Sequence, residues 1–212
     1  QRGFQVYKEV CSACHSMRHL SYRHLRGIGL SEAQVAALAS QFQVQDGPND
    51  NGEMFERPAR ASDHFRRPFP NDAAARAANN GALPPDLSVM VKAREGGADY
   101  MHALLIGYEE PPPGVTVAQG MHYNKYFPGH QIAMPAPLNS EGQVTYADGT
   151  KATVEQMSVD VSTFLAWAAE PELEQRRSMG VRMIIYLAIL GGLVFLVKKK
   201  IWARLHQTEP AP

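Results

Sequence analysis

The chain has 212 residues, 44% of them apolar, and equal numbers (21 each) of acidic and basic side chains; this excludes a disordered polymer and leaves room for one domain of ordinary size plus an appendage. The zero total conceals a split: residues 178–212 carry five basic side chains against one acidic, and residues 1–177 carry sixteen against twenty. An acidic main body argues against nucleic acid and for a basic partner.

Gln1-Arg2-Gly3-Phe4 has no initiator methionine and no secretory apolar run, and is read as a processed or truncated start. Helical spacing of Phe4, Tyr7 and Cys11 predicts a helix from Phe4 to Cys14, leading into a cysteine motif at residues 11–15. The only two cysteines both lie in that motif, which excludes a disulfide framework. Residues 31–44 predict a second helix, with Ser31 as N-cap and Val35, Leu38 and Phe42 at helical spacing. Residues 45–70 are polar, charged and without a clear period, and are expected to form a surface excursion. Asn71 is placed to cap a short alanine-rich helix through Ala78. Residues 79–85 form a turn cluster, and short helices are expected over 86–93 and 99–106. Residues 109–138 hold six of the fifteen prolines and form a loop whose length points to function. A small hairpin is expected around residues 143–149. Thr153 and Gln156 have capping-box spacing and open a helix through Ala169 that Pro171 ends.

Residues 183–197 carry no charge. Extended back to Met179, the run makes a helix about 28 Å long, enough to cross a hydrocarbon core. Arg176, Arg177 and Arg182 flank it on one side and Lys198, Lys199 and Lys200 on the other, where all can snorkel; Trp202 sits like an interfacial anchor. The expected organisation is therefore a head over residues 1–177, a transmembrane helix over 178–202 and a short tail over 203–212. Ala188 and Gly192 have the small-xxx-small spacing of helix–helix contacts.

Cys11-Ser12-Ala13-Cys14-His15 is Cys-x-x-Cys-His. Its thiols lie one turn apart, suited to thioether bonds with the two vinyls of one haem, and the adjacent histidine falls under the iron. A zinc site would need a second Cys or His pair, and a thioredoxin-like dithiol a βαβ context; neither pattern appears. One covalent c-type haem with His15 as axial ligand is the reading. For the other axial position there are Met134 and His130, and by composition eight further methionines and six further histidines. Met134 lies in a stiff apolar stretch, Gln131-Ile132-Ala133-Met134-Pro135-Ala136-Pro137-Leu138, able to hold a thioether in place without a helix; His130 lies among polar residues. A His/Met pair raises the reduction potential and blocks oxygen binding.

Arg2-Gly3-Phe4-Gln5-Val6-Tyr7 before Cys-x-x-Cys-His, then Ala78-Asn79-Asn80-Gly81-Ala82-Leu83-Pro84-Pro85-Asp86-Leu87-Ser88, the Met134 stretch and a single C-terminal span resemble, in that order, the cytochrome c1 family. The resemblance covers nearly the whole chain. It implies a mainly α, cytochrome c-like haem domain with long ordered loops, a small β-hairpin and one C-terminal anchor. It also implies that Pro85 and Asn79 pack at the haem, that Arg94 pairs with a propionate, and that Tyr100, Leu104, Phe127 and Ile132 line the pocket. Two departures accompany it: the family has more chain before the Arg-Gly-Phe motif, and some bacterial members carry an extra cysteine pair that this sequence lacks.

The function implied is electron transfer from a Rieske iron–sulfur protein to cytochrome c within a dimeric quinol–cytochrome c reductase that also contains cytochrome b. The chain itself makes and breaks no bonds. Covalent haem attachment takes place outside the cytoplasm, so the head is expected in the periplasm or the mitochondrial intermembrane space and the tail on the opposite side. Glu109, Glu110, Glu170, Glu172 and Glu174 are candidates for steering a basic cytochrome c. The alternatives are a free-standing, membrane-tethered cytochrome donating to a terminal oxidase and a haem-based ligand sensor with an open sixth position.

Overall fold

The computed structural model describes residues 1–206, and the chain divides into two compact units, Gln1–Pro171 and Glu172–Pro212. Residues 207–212, most of the expected tail, lie outside the described residues. The first unit is mainly α: α1 (Arg2–Glu9), α2 (Glu32–Ala39), α3 (Asp72–Ala78), α4 (Gly97–Ile106) and α5 (Val154–Ala168), with 3-10 segments at Cys11–Ala13 and Tyr22–Ile28. Two small antiparallel hairpins complete it, β1 (Gln43–Asp46) with β2 (Phe55–Pro58) and β3 (His122–Tyr123) with β4 (Gln131–Ile132).

The core is organised around α5. Its buried residues Met157, Val161, Phe164, Leu165 and Ala168 follow helical spacing and form one apolar face, each large side chain contributing about 1.5–3 kcal/mol of transfer free energy. α1 and α4 pack on this helix. α1 can approach closely because Gly3 lies at the crossing, where a Cβ would stand 1.9 Å from the Asp160 carbonyl oxygen. Phe4 then meets Phe164 at a centroid distance of 5.6 Å. Arg2 clips the same junction: its Nε and Nη2 donate to the two Asp160 carboxylate oxygens at 2.9 and 3.1 Å, and Nη1 donates to Asp148 at 2.9 Å.

Helix ends follow the expected chemistry. Ser31 accepts from the Gln34 amide and Gln34 reaches back to the Ser31 amide, a complete capping box. Asn71 caps α3 through the Ala74 amide at 2.9 Å. Thr153 caps α5 through the Gln156 amide at 3.0 Å, but the Gln156 side chain turns to Asp160, leaving half a box.

Several elements differ from expectation. The helix expected over 31–44 ends at Ala39, because residues from Gln43 are recruited into β1, opposite β2. The expected excursion at 45–70 therefore contains a hairpin, held from one side by Arg57, which pairs with Asp46 and Asp63. The segment 86–93 is a run of turns rather than a helix; its start is tied to residues 16–19, with Leu87 N donating to Ser16 O at 2.8 Å. The expected hairpin at 143–149 does not form: Gly142 N bonds Ala152 O, and the Gln143 side chain bonds Pro137 O. The hairpins lie instead at 43–58 and 122–132.

The second unit is one helix, α6 (Leu173–His206), of which Leu173–Ala203 is long and apolar enough to cross a membrane. Its 34 residues span about 51 Å at 1.5 Å per residue, against a hydrocarbon core of about 30 Å. Ile184, Leu187, Leu193 and Phe195 expose more than half their surface, as a helix does when its partners are lipid or other spans. Lys198 Nζ lies 5.9 Å from the Trp202 ring centroid, so cation and ring come together at one end of the apolar run.

Candidate functional site

The Cys-x-x-Cys-His motif folds as a 3-10 turn at the end of α1, in which the Cys14 and His15 amides both donate to the Cys11 carbonyl at 3.2 and 2.9 Å. Tyr7, buried in α1, donates its hydroxyl to the His15 carbonyl at 3.2 Å and anchors the turn from below. Cys11 is half-buried and Cys14 exposed. Burial and the neighbouring Cys14 push the Cys11 thiol up to about 12, so it stays protonated at neutral pH.

The His15 ring is positioned by a partner seventy residues away. Its Nδ1 lies 2.7 Å from the Pro85 carbonyl oxygen. A carbonyl only accepts, so Nδ1 carries the proton and Nε2 keeps a free lone pair. Burial lowers the pKa of the ring below its ordinary value, opposed by the Pro85 carbonyl and by Asp86; the ring is a neutral donor. This is the state a metal-ligating histidine needs, with a backbone carbonyl holding the far nitrogen.

Asp86 sets that carbonyl in place. Its carboxylate accepts from Ser16 Oγ at 2.7 Å, from the Arg18 amide at 2.8 Å and from the Ser88 amide at 3.0 Å. Burial alone would raise the Asp86 pKa, but these bonds prevail and hold it below its ordinary value. Ser88, fully buried, accepts from the His19 amide at 3.0 Å. Sequence reasoning missed Asp86; contacts between strips of chain so far apart leave no local pattern, and only its place directly after Pro85 could have pointed to it.

A second cluster builds the methionine loop. Met134 is half-buried, and Tyr108 donates its hydroxyl to the Met134 carbonyl at 3.0 Å. Asn124 is fully buried; its Nδ2 donates to the Leu104 carbonyl at 2.8 Å and its Oδ1 accepts from the Tyr126 and Phe127 amides. One side chain thus joins the end of α4 to the loop that carries Phe127 and, through β4, Ile132. Neither Tyr108 nor Asn124 was expected from the sequence. Ile132 is buried, and Tyr100, Leu104 and Phe127 are half-buried. His130 is exposed, in the left-handed region at φ 59°, with its ring stacked on Tyr123.

Burial raises the Tyr100 pKa, and the Arg94 guanidinium pulls it back, which places Arg94 within electrostatic reach of Tyr100; burial followed by Tyr100 raises the Tyr108 pKa. Arg94 is itself exposed, and Nη1 bonds only the neighbouring Ala93 carbonyl, at 3.0 Å. Asn79 caps its own helix through the Ala75 carbonyl at 2.7 Å. The structure therefore brings His15 and Pro85 together, and Met134 with Leu104 and Phe127 through Tyr108 and Asn124. No hydrogen bond joins the two clusters among the described residues.

The donor set fits a covalently bound haem: two free thiols one turn apart, an imidazole with its outer nitrogen tethered and its inner lone pair free, and a half-buried thioether held by a hydrogen-bonded loop. A tetrahedral metal is a poorer match, since the described residues contain no group of three or more His, Cys, Asp or Glu able to hold a metal ion.

The profile described as Cytochrome C1 family matches residues 1–205. Among known relatives, the chain is 54% identical to cytochrome c1-2, heme protein, mitochondrial, of Solanum tuberosum, over 89% of this chain and 72% of that protein. It is 45% identical to cytochrome c1 of Rhodospirillum rubrum, over 95% of this chain and 80% of that protein. It is 52% identical to cytochrome b/c1 of Bradyrhizobium diazoefficiens over 97% of this chain, but spans only 33% of that longer protein.

Proposed function

Because the chain belongs to the cytochrome c1 family, we propose that it is the membrane-anchored electron carrier of a quinol–cytochrome c reductase, taking single electrons from a Rieske iron–sulfur protein and passing them to cytochrome c. Cys11 and Cys14 would hold one haem c covalently, and His15 and Met134 would supply its nitrogen and sulfur ligands. The chemistry supplied by the bound haem is a one-electron ferric/ferrous couple. The residues of this chain do the positioning. The Pro85 carbonyl holds the protonated Nδ1 of His15 and leaves Nε2 free to ligate, Tyr108 and Asn124 hold the Met134 loop, and Tyr100, Leu104, Phe127 and Ile132 would wall the pocket. Arg94, with a guanidinium that makes no ion pair among the described residues, supplies the charge-assisted partner for a propionate, and Asn79 and Pro85 pack at the haem edge. α6 anchors the head in the membrane, on the periplasmic or intermembrane-space side, and the tail lies opposite.

The observation that carries this reading is the His15–Pro85 hydrogen bond within a Cys-x-x-Cys-His turn, joined to family membership over residues 1–205. The test is purification from native membranes in mild detergent, followed by a redox titration. The expected result is a dimeric assembly with cytochrome b and a Rieske protein, containing a single high-potential c-type centre per copy of this chain. A lone monomer that reduces a terminal oxidase directly would replace the reading with that of a free-standing tethered cytochrome.

A further inference from the structure

The head contains a cavity of about 270 Å³ lined by none of the residues proposed above to wall the haem pocket. Ser12 and Ala13, the two residues between the cysteines, form part of its wall, and Phe4, Tyr7, Phe42 and Phe65 give it an aromatic lining. These rings belong to one stacked cluster; Tyr22 joins Phe42 and Phe65 at centroid distances of 5.7 and 4.8 Å. Phe4 and Phe42 are only half-buried, so the rings offer apolar surface that nothing in the head covers.

The charge around this cavity runs against the rest of the head. Lys8, Arg66 and Arg67 line it, and no carboxylate does. Lys8 reaches only a neutral group, Gln41 Oε1 at 3.2 Å. Arg66 and Arg67 are exposed and have no ion-pair partner among the described residues, whereas Arg2, Arg18, Arg26, Arg57 and Lys92 are each paired with a carboxylate. Three unneutralised cations over an open aromatic surface suit a ligand with two features. Carboxylates satisfy guanidinium groups in forked geometry, and an aromatic ring packs on Phe and Tyr faces and under a cation. A simple inorganic anion would use the rim and leave the rings uncovered.

We propose that this cavity docks an acidic peptide segment of a protein partner, with an aromatic side chain of the segment against the half-buried Phe4 and Phe42 rings and carboxylates on either side meeting Lys8, Arg66 and Arg67. The inference does not depend on the identity of the electron donor or acceptor.

The test uses the haem-loaded full chain in detergent micelles and isothermal titration with the acetylated, amidated peptide Glu-Asp-Phe-Asp-Glu. The proposal expects this peptide to bind at least tenfold more tightly than Glu-Asp-Ser-Asp-Glu, and equimolar inorganic phosphate not to displace it. Arg66→Ser combined with Arg67→Ser should weaken binding at least tenfold while the haem absorption spectrum stays that of the parent; both side chains are exposed and unpaired, so the fold does not need them. Equal binding of the two peptides, displacement by equimolar phosphate, unchanged affinity in the double variant or no binding at all would each overturn it.

Discussion

Pro85 has no amide proton and contributes only a carbonyl, and that carbonyl decides which nitrogen of His15 is protonated. Cys11, Cys14 and His15 are legible in the sequence because their chemistry is local: five consecutive residues make the motif. The Pro85 carbonyl and the Asp86 clip are not, because they act across some seventy residues of intervening chain. The prolines around Met134 single it out as the proposed second ligand, while the Tyr108 hydroxyl that holds its backbone has no signature. Met134→Leu tests the axial assignment: the reduction potential should fall and the methionine–iron charge-transfer band should vanish, and an unchanged spectrum would release Met134 from the role. Gly3→Ala tests the helix crossing. Its methyl group would have to displace the Asp160 carbonyl, at a cost of about 1–3 kcal/mol, seen as a lower urea midpoint with an unchanged slope.

Between elements, the junction of α4 and α5 matters most for the proposed pocket, since α4 carries Tyr100 and Leu104. His102 on α4 places Nδ1 2.9 Å from Ser158 Oγ and Nε2 3.1 Å from Glu155 on α5. Ser158 is fully buried, and its hydroxyl also lies 3.2 Å from the His102 carbonyl. A double-mutant cycle with His102→Leu and Ser158→Ala should give a coupling of about 0.5–1.5 kcal/mol; strict additivity would dismiss the pair as a clamp. Sequence reading placed α3, α4 and α5 nearly where they lie, because caps and apolar periodicity are local; the helix expected from Phe4 through Cys14 instead ends at Glu9, where the motif tightens into a 3-10 turn. The sequence concealed β1 and β2, whose pairing is decided by each other; Phe42 continues the helical period of Val35 and Leu38, yet the chain after Ser40 is drawn across to residues 55–58. Residues 86–93 read as helical for the same reason, yet the Leu87 amide is committed to Ser16 and the Ser88 amide to the Asp86 side chain instead.

On the scale of the molecule, acid sensitivity follows from the carboxylates that arginines and hydrogen bonds hold ionised. Asp148 is held at about 2 by the Thr150 amide and by Arg2, and Asp160, Asp46, Asp63 and Asp86 all lie below their ordinary values. A depressed folded-state pKa contributes stability that is complete above the unfolded value near 3.9 and is lost as pH falls through the folded value. The head should therefore lose stability steeply between about pH 4 and pH 2. Arg2→Met should lower stability at neutral pH and flatten that fall, as read from urea midpoints across the window; an unaltered slope would remove Arg2 from the explanation. The acidic excess of residues 1–177 predicts that electron transfer to a basic cytochrome c slows as ionic strength rises, and stopped-flow rates indifferent to salt would count against steering. Glu109 and Glu110 are exposed and available for it, whereas Glu170 is already engaged by Lys92 at 2.7 Å.

The tether on His15 has a kinetic meaning as well as a geometric one. An electron moves fastest between states whose surroundings need little rearrangement, and a ligand free to swing or exchange its proton would have to relax with every transfer. Here the imidazole is fastened to a carbonyl, the carbonyl precedes a carboxylate that holds three neighbours, and the turn beneath rests on a buried tyrosine. With His15 ligating the haem as proposed, little on its side is left to move when the charge changes, and a small reorganisation energy is the expected outcome.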